Sequence, residues 1–431
     1  MKFCGMQDDL SSDVLVVGSG PAGVAAAVRA SEQGARVLVI DDNPRAGGQI
    51  WRDPQSEHHG LQARRWFNRL TQSNIRFLPS TQIIGGSASS RSLLLENLEG
   101  SAELPFQKLV IATGARELSL PFPGWTLPGV MGAGGLQALV KSGLPVKGKK
   151  VILGGSGPLL LAVAAHLRKF GASVKLIAEQ ASRSAVLRFG FRLFEYPGKL
   201  LQAAGLVSKL ASVHVHHNCW VTAAEGNGRL ECLHFIQNDK TWTERCDYAG
   251  IGYGLYPNAE VASLLGCRMN GPAVAIDERQ QSSIDGVYCA GECTGVGGVD
   301  LSLIEGEIAG YTACGRHDRA KHLLSRRTKA RLFVQHLDAT FALRPELKSL
   351  ARQSTIVCRC EDVTFEQLSS YTSFRAAKLQ RRCGMGPCQG RICGPATEFL
   401  FGWRAGSVRP PLFPARFESL STSSHEVPTS A

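Results

Sequence analysis

The chain has 431 residues, 44% of them hydrophobic and 19% charged, with a formal net charge of +12. This length allows two or three domains with a substantial core, and no run of roughly 18 apolar residues predicts a spanning helix. The positive charge concentrates in residues 316–331 and 375–382, which resemble solvated helix faces and lack the aromatic groove of a single-strand binder. We therefore expect a cytoplasmic protein with no membrane span and no nucleic-acid partner.

Residues 13–42 predict a strand, a glycine turn, a helix and a second strand. The apolar run Val14–Val17 leads into a G-x-G-x-x-G sequence, whose glycines permit a tight turn, approach of a pyrophosphate and close helix packing. Free N–H groups at the helix N-terminus bind the pyrophosphate, and an acid ending the second strand binds a ribose hydroxyl. The predicted dinucleotide site comprises Gly18, Gly20, Pro21, Ala22, Gly23 and Asp41.

Three later segments indicate that this dinucleotide is FAD. The glycine pair in "PRAGGQIWR" offers bare backbone to a flavin ring, and the strand in "KLVIATGARE" ends in Ala-Thr-Gly. The strand in "VYCAGECTG" ends in Gly-Glu, where the two-dinucleotide flavoprotein reductase fold has Gly-Asp. The further predicted FAD-binding residues are Gly47, Gly48, Gln49, Thr113, Gly114, Gly291 and Glu292.

Residues 149–180 predict a second Rossmann-like unit with an altered glycine turn. Gly155 and Gly157 keep the first two glycines, but Leu160 takes the third place, where we expect it to crowd a pyrophosphate. Counting along the chain puts Ala178 at the position of the strand-end acid. We expect a retained fold with an empty or altered pocket, and nicotinamide binding is the alternative. The flavin segments contain no C-x-x-C pair, which excludes a dithiol reductase mechanism.

Five cysteines lie close together in "CRCEDVT" and "RRCGMGPCQGRICG" near the C-terminus. Four thiolates can hold a [2Fe–2S] cluster, whereas the C-x-C start fits a zinc ribbon poorly; zinc and bare thiols remain the alternatives. The sequence "TFEQ" that follows predicts a capping box formed by Thr364 and Gln367. The predicted ligands are Cys358, Cys360, Cys388 and Cys393, with Cys383 as a spare or a substitute.

Taken together, "VGSGPAG", "GGQIWR", "LPGVMGAGG", "CRCEDVT" and "CGMGPCQGRICG" make the chain resemble a known family over nearly its whole length. It is similar to the FAD- and iron–sulfur-containing α subunits of heteromeric amino-acid dehydrogenases. These include the A subunits of octopine and nopaline oxidases, the α subunits of proline and D-hydroxyproline dehydrogenases, and the related FAD subunit of hydrogen cyanide synthase. The C-terminal piece resembles the bacterioferritin-associated-ferredoxin-like (BFD-like) [2Fe–2S] domain, also found in anaerobic glycerol-3-phosphate dehydrogenase. The resemblance implies the same four cysteine ligands.

The resemblance also implies that amine oxidation and electron transfer take place in different chains. Amine oxidation would occur in a β subunit like a D-amino-acid oxidase, with room for an FMN between the subunits and for a small ferredoxin-like subunit. This chain would relay electrons through FAD and the cluster, as part of an oxidoreductase acting on CH–NH donors. The absence of a recognisable general base, nucleophile or substrate carboxylate clamp in the sequence fits this role, so we assign no catalytic residue.

The predicted fold class is α/β, a flavoprotein with two Rossmann-like dinucleotide-binding units and a small C-terminal BFD-like domain. The alternative functions are a self-contained NADH-dependent flavoprotein reductase and a non-redox scaffold that has kept the fold. The Pro- and Ser/Thr-rich end is typical of disorder. The predicted parts are an FAD-binding domain at 1–130 and 250–315, a second Rossmann-like domain at 131–249, a basic helical connector at 316–350, a BFD-like domain at 351–404 and a disordered tail at 405–431.

Overall fold

The computed structural model describes residues 10–52, 60–404 and 408–421. The chain forms two compact units. The first comprises Met1–Arg116, Pro257–Leu332 and Ser407–Ala431, and the second comprises Glu117–Tyr256 and Phe333–Gly406. The five-part division expected from the sequence is finer than these two units and remains a prediction.

Both units contain short β-strands. In chain order they are β1 Val14–Val17, β2 Val37–Ile40, β3 Ile75–Leu78, β4 Gln82–Ser87, β5 Ser92–Asn97, β6 Gly100–Pro105, β7 Lys108–Ile111, β8 Ala115–Glu117, β9 Val130–Gly132, β10 Lys150–Gly155, β11 Ser173–Glu179, β12 His214–His217, β13 Cys219–Glu225, β14 Cys232–Gln237, β15 Lys240–Arg245, β16 Tyr248–Gly252, β17 Leu255–Pro257, β18 Met269–Asn270, β19 Ala273–Val274, β20 Val287–Cys289, β21 Ile356–Cys358 and β22 Val363–Thr364.

Helices connect and cover these strands. In chain order they are α1 Pro21–Glu32, α2 Leu61–Gln72, α3 Ala133–Lys141, α4 Leu159–Lys169, α5 Arg183–Arg192, α6 Pro197–Lys209, α7 Glu260–Leu264, α8 Gly298–Ala313, α9 His317–Lys321, α10 Leu324–Phe341, α11 Phe365–Ser369, α12 Phe374–Arg381, α13 Cys393–Phe401 and α14 Phe417–Ser421. No helix within the described ranges is both long enough and apolar enough to cross a membrane.

The first unit is built on a five-stranded parallel sheet in the order β20-β7-β1-β2-β3. Its central strands β1 and β2 are apolar and buried along their whole length, as expected for a parallel sheet that is covered on both faces. A three-stranded antiparallel sheet, β4-β5-β6, adds Leu93 and Leu95 to the same core. The sheet holds the start of α1 at the carboxyl end of β1.

The second unit repeats this plan with a parallel sheet in the order β12-β11-β10-β16-β9 and an antiparallel sheet, β13-β14-β15. The same unit contains the C-terminal cysteine region, where the hairpin β21-β22 and helices α11 to α13 surround Leu368, Phe374 and Trp403. The two Rossmann-like units predicted from the sequence are thus present, and the α/β class is confirmed.

The predicted disordered tail is wrong for residues 408–421. Leu412 is buried in the first core and its N–H donates to the Ile84 carbonyl at 2.8 Å. The hydroxyl of Ser419 and the backbone N–H of Arg416 both donate to the Glu96 carboxylate. The composition predicted disorder because it averages over the whole segment. It does not reveal that a few apolar and polar residues pack against a distant strand. Residues 405–407 and 422–431 lie outside the described residues.

Candidate functional site

The first glycine turn connects β1 to α1 and packs too tightly for any side chain. Gly18 has a φ of +97°, and a Cβ there would lie 2.4 Å from the Ala112 carbonyl oxygen. A Cβ on Gly23 would lie 1.8 Å from the Gly18 carbonyl oxygen. These two glycines therefore allow the turn and the close helix packing that the sequence pattern predicts.

Gly20 differs from both neighbours because it faces open space. It is the N-cap of α1 with a φ of −67°, and no atom of the part of the chain that the structure describes lies within 4 Å of the position of a Cβ. Pro21 and Ala22 follow as the first helical residues, with the proline in the first turn, where it costs no hydrogen bond. The helix thus presents its N-terminal dipole end and an uncovered glycine backbone, which fits a pyrophosphate.

Asp41 directly follows β2 and is hydrogen-bonded to this turn. Its carboxylate is buried and accepts hydrogen bonds from the backbone N–H and the hydroxyl of Ser19, the latter at 2.6 Å. The other carboxylate oxygen accepts from the backbone and side-chain nitrogens of Asn43, each at 2.8 Å. Ser19 and Asn43 were not singled out from the sequence, although Ser19 lies between two predicted glycines and Asn43 lies two residues after Asp41.

The predicted glycine pair lies against the same turn. The Gly47 N–H donates to the Ser19 carbonyl at 2.8 Å, and a Cβ on Gly48 would lie 2.9 Å from the Gly20 Cα. Both glycines have positive φ angles, +119° and +59°. Gln49 follows as an exposed residue. The bare backbone expected beside the dinucleotide is therefore present next to Gly20.

The Ala-Thr-Gly segment reaches the turn from the neighbouring strand β7. The Ala112 N–H donates to the Val17 carbonyl at 2.8 Å. Asn258 then fastens the segment: its N–H donates to the Gly114 carbonyl at 2.9 Å and its side-chain amide to the Thr113 carbonyl at 3.1 Å. Asn258 had no signal in the sequence, because its partners lie far away in the chain.

The Gly-Glu segment after β20 contacts the N-terminus of α1. Gly291 has a φ of +77°, and a Cβ there would lie 2.7 Å from the Ala22 side chain. Glu292 follows in a short 3-10 helix, and burial raises the pKa of its carboxyl. The buried Glu305 accepts from the Gly291 N–H at 3.1 Å and from the Thr294 hydroxyl at 2.9 Å.

Two glycines that were not singled out from the sequence let α8 lie directly on α1. A Cβ on Gly306 would lie 2.2 Å from the Ala22 carbonyl oxygen, and one on Gly310 would lie 2.4 Å from the Ala26 carbonyl oxygen. Their four-residue spacing on one helix face was the available signal. The structure thus gathers the predicted flavin segments around the start of α1.

The second Rossmann-like unit corrects the predicted position of its strand-end acid. A register shift between Val151 and Ile152 pairs Gly155 with Glu179 instead of Ala178. Glu179 is buried and accepts from the N–H groups of Gly157 and Ala181 at 2.7 and 2.8 Å. Burial raises the pKa of Glu179 to about 7. Counting along the chain missed this position because a β-bulge adds one residue without changing the sequence pattern.

The glycine turn of the second unit is obstructed, but not by Leu160. Leu160 is fully buried in the core with Val163 and Leu136, so its side chain does not crowd the turn as predicted. The ring of Phe341, at the end of α10, lies 3.8 Å from the position of a Cβ on Gly157. The Ser156 hydroxyl also donates to the Phe341 carbonyl at 2.9 Å. Phe341 therefore covers the backbone that the equivalent Gly20 leaves open.

The C-terminal thiols lie at the ends of three elements. Cys358 ends β21, Cys383 follows α12, and Cys393 begins α13; all three are buried, and their sulfur atoms lie within 4.8 Å of one another. Cys360 is exposed in the turn after β21, and the N–H and thiol of Cys388 both interact with its sulfur. Of the four predicted ligands, Cys358 and Cys393 thus share one cluster of thiols with Cys383, while Cys360 and Cys388 form a neighbouring pair.

Hydrogen bonds within the cluster favour a thiolate at Cys358. Donation from the thiols of Cys383 and Cys393 holds the pKa of Cys358 well below its usual range. The hydrogen bond to Cys358, together with burial, raises the pKa of Cys383 to about 12. Zinc and iron–sulfur clusters are bound by several cysteine sulfurs close together, and this group of thiols is of that kind.

The backbone around the thiols is shaped by glycine and by a helix cap. The Gly384 N–H points at the Cys358 sulfur at 3.5 Å, and a Cβ on Gly386 would lie 2.3 Å from the Cys360 Cβ. The predicted capping box is confirmed: Thr364 and Gln367 exchange both hydrogen bonds at the start of α11. The residues therefore fit a thiolate-bound metal centre.

A comparison with known proteins identifies the family that has this architecture. The sequence profile of the family described as "Pyridine nucleotide-disulphide oxidoreductase" matches residues 12–313. The chain belongs to this family. Flavin-dependent oxidoreduction is the family's chemistry, and the residues around α1 fit the FAD that membership implies.

Two curated relatives show which members of the family this chain is similar to. The A subunit of opine oxidase from Agrobacterium tumefaciens (strain Ach5) is 31% identical, with 91% of this chain and 86% of the relative covered. Hydrogen cyanide synthase subunit HcnB of Pseudomonas aeruginosa is 28% identical, with 88% and 90% covered. The resemblance inferred from the sequence is thereby confirmed, and this oxidoreductase is of the opine oxidase and HcnB type.

The fold has a match among solved structures. L-proline dehydrogenase from P. horikoshii superposes with a TM-score of 0.64 over 95% of this chain and 79% of that chain, at 18% sequence identity. At this identity the match supports the pyridine nucleotide-disulphide oxidoreductase fold alone.

Proposed function

We propose that this protein is the electron-relaying α subunit of a heteromeric amino-acid dehydrogenase. The observation that carries the proposal is the combination, in one chain, of a flavin fold with an open glycine at the start of α1 and a gathered set of five thiols. Both curated relatives, from opine oxidase and from hydrogen cyanide synthase, are named as subunits, which supports a role within a complex.

The residues around α1 would hold FAD. The N-terminus of α1 and the bare backbone of Gly20 would bind the pyrophosphate, and Asp41 would bind the ribose. Thr113, Gly291 and Glu292 would line the flavin side, with Glu305 holding the Gly291 segment in place. The cysteine region would hold a [2Fe–2S] cluster through Cys358, Cys360, Cys388 and Cys393. When bound, FAD takes up two electrons together and an iron–sulfur cluster passes single electrons.

The substrate would be oxidised in a partner chain. Conversion of an amine to an imine removes two electrons and two protons, and it requires a group that positions the amine and accepts a proton. The sequence offers no such constellation, so we assign this step to a β subunit like a D-amino-acid oxidase. Proline, hydroxyproline, opines and glycine are the candidate CH–NH donors. The family resemblance adds an FMN at the subunit interface and a small ferredoxin-like subunit to the proposed complex.

The alternative, a self-contained NADH-dependent reductase, requires the second glycine turn to bind a nicotinamide dinucleotide. Phe341 covers Gly157 there, and the Gly157 N–H is already donated to Glu179. A pyrophosphate would have to displace both contacts, which disfavours this function. Anaerobic mixing with NADH tests it directly: rapid bleaching of the flavin absorption would support the alternative and contradict the electron relay.

The relay is tested by comparing the isolated chain with the co-expressed complex. We expect the isolated chain to contain FAD and iron but not to reduce an artificial dye with proline, hydroxyproline, glycine or an opine. Dye reduction should appear when the partner flavoprotein is co-expressed. Robust turnover by the isolated chain would overturn the proposal.

The two cofactors should be separable by mutation. Cys388→Ser should remove the iron–sulfur absorption while leaving FAD bound, because the cysteine region and the first glycine turn belong to different units. Cys232→Ser, in the β14 strand of the second unit, is the matched control and should keep both cofactors. Zinc instead of iron in the wild-type protein would refute the electron-transfer role of the cysteine region.

A further inference from the structure

The cysteine region contains one thiol more than a [2Fe–2S] cluster needs. Two irons with four thiolate ligands are complete, and the two pairs Cys358–Cys360 and Cys388–Cys393 supply all four. Cys383 is nevertheless the most deeply buried of the five thiols, with no exposed surface. Its sulfur lies within 4.8 Å of the sulfur atoms of Cys358 and Cys393.

The backbone aims this fifth thiol at Cys358. Arg382 follows α12 in the left-handed conformation, with a φ of +62°, and this turn brings Cys383 inward. The next residue, Gly384, directs its N–H at the Cys358 sulfur at 3.5 Å. A side chain on Gly384 would lie 2.7 Å from the Phe374 ring, so glycine is needed for this approach. Cys383 and Gly384 thus offer two adjacent donors to one sulfur.

We propose that Cys383 is not a ligand but a hydrogen-bond donor that tunes the cluster through its S–H···S bond to Cys358. The inference rests on the proposed cluster. A thiol that does not bind metal carries an S–H donor, and the sulfur of a neighbouring cysteine ligand can accept from it. Hydrogen bonds to cluster sulfurs stabilise the more negative, reduced state, and hence raise the reduction potential. Cys383 would therefore make the cluster a better electron acceptor.

The test is a redox titration of the holoprotein monitored by electron paramagnetic resonance, with iron measured in each sample. Cys383→Ala should keep the wild-type iron content and shift the midpoint potential to a more negative value. Cys383→Ser keeps a donor at the same place and should restore much of that shift. Cys219→Ala removes an equally buried thiol from the core of the second unit and should leave the potential unchanged.

A spectroscopic signature separates donation from a purely structural role. After exchange into deuterated water, the wild-type cluster should show one more exchangeable-proton coupling than Cys383→Ala. Equal potentials and equal couplings in the wild type and Cys383→Ala would overturn the proposal. So would loss of iron from both Cys383 variants with retention in Cys360→Ser, because Cys383 would then be a ligand. A wild-type protein without iron would instead refute the proposed function. If Cys383→Ala does not fold, the serine variant carries the test: retained iron with an exchangeable-proton coupling altered from that of the wild type supports donation, and loss of iron or an identical coupling contradicts it.

Discussion

At the scale of single residues, Gly20 and Gly60 make a natural pair for comparison. Each is the N-cap of a helix, with φ angles of −67° and −66°, and among the described residues no atom lies within 4 Å of the position of a Cβ on either glycine. The protein itself would accept a side chain at either site. Only Gly20 lies in the glycine turn that we expect to meet a pyrophosphate, so only there should a side chain matter for the cofactor.

We predict that Gly20→Val abolishes FAD binding without unfolding the chain, because the branched side chain would fill the space that the pyrophosphate needs. Gly60→Val should keep full flavin content. Flavin release on denaturation measures occupancy, and circular dichroism checks the fold. Iron content should be the same in both variants. Full FAD occupancy in Gly20→Val would contradict the assignment of this turn.

Glu179 is a second residue whose effect, on the pH dependence of stability, can be measured. Its pKa is raised by burial to about 7 from an ordinary 4.5, so ionising it in the folded state costs free energy. The folded state favours the protonated carboxyl. The free energy of unfolding is therefore highest, with respect to this group, below about pH 4.5, and this contribution is lost as the pH rises through 7. The upper limit of the loss is about 3 kcal/mol, at 1.36 kcal/mol for each pKa unit.

We predict that Glu179→Gln flattens the pH dependence of the unfolding free energy between pH 5 and pH 8. The amide cannot ionise, although it loses one of the two backbone hydrogen bonds and should lower stability at pH 5. Denaturant titrations at several pH values measure the effect. Glu99→Gln, at an exposed carboxylate, is the control and should follow the wild type. Parallel profiles for wild type and Glu179→Gln would show that this carboxyl does not titrate in that range.

At the scale of elements, the packing of α8 on α1 supports the cofactor site. α8 is buried on nearly all sides, and its glycines bring its backbone against the carbonyl groups of α1. Close approach holds the N-terminus of α1 beside Gly291. Glycine normally weakens a helix by up to about 1 kcal/mol relative to alanine, so its presence here reflects this contact.

We predict that Gly310→Ala destabilises the first unit by about 1–3 kcal/mol, the usual cost of overpacking, and weakens FAD binding. The new methyl group would lie 2.4 Å from the Ala26 carbonyl oxygen, which forces the helices apart. Gly205→Ala is the matched control, because a Cβ on that helical glycine would have no neighbour within 4 Å in the described ranges, and the variant should gain up to about 1 kcal/mol. Thermal unfolding and flavin titration of both variants measure these effects. Stabilisation by Gly310→Ala would mean that the two helices can move apart freely.

At the scale of the whole molecule, the first unit is assembled from segments far apart in the chain. Residues 408–421 return to it after the entire second unit. Leu412 then packs in the core that also contains Leu93 and Leu95, and its N–H pairs with Ile84. The stability of the flavin fold therefore depends on residues near the C-terminus.

We predict that Leu412→Ala lowers the stability of the first unit by about 2–5 kcal/mol, as for other buried leucines. The flavin should be released at a lower temperature, while the iron–sulfur absorption of the cysteine region should persist. Leu98→Ala, at a side chain that is 94% exposed, should stay within about 0.5 kcal/mol of the wild type. Flavin fluorescence during heating gives the midpoint. Equal midpoints for both variants would show that the C-terminal segment does not support the flavin fold.

Features that depend on neighbours along the chain could be predicted from the sequence alone. Val14–Val17, the glycine turn and the helix after it form one local unit, because apolar runs and glycines act within a few residues. The same holds for the capping box of Thr364 and Gln367. These local patterns also carried the family resemblance, which the comparisons confirmed.

Only the tertiary structure shows which groups that are far apart in the sequence come into contact. A bulge in β11 put Glu179 at the acid position, and the end of α10 placed Phe341 on the second glycine turn. Packing also brought Cys383 to Cys358 and docked Leu412 on the first core. Each of these contacts joins segments that are separated by many residues. Their positions follow from the packing of whole elements, and no periodicity or spacing in the sequence records them.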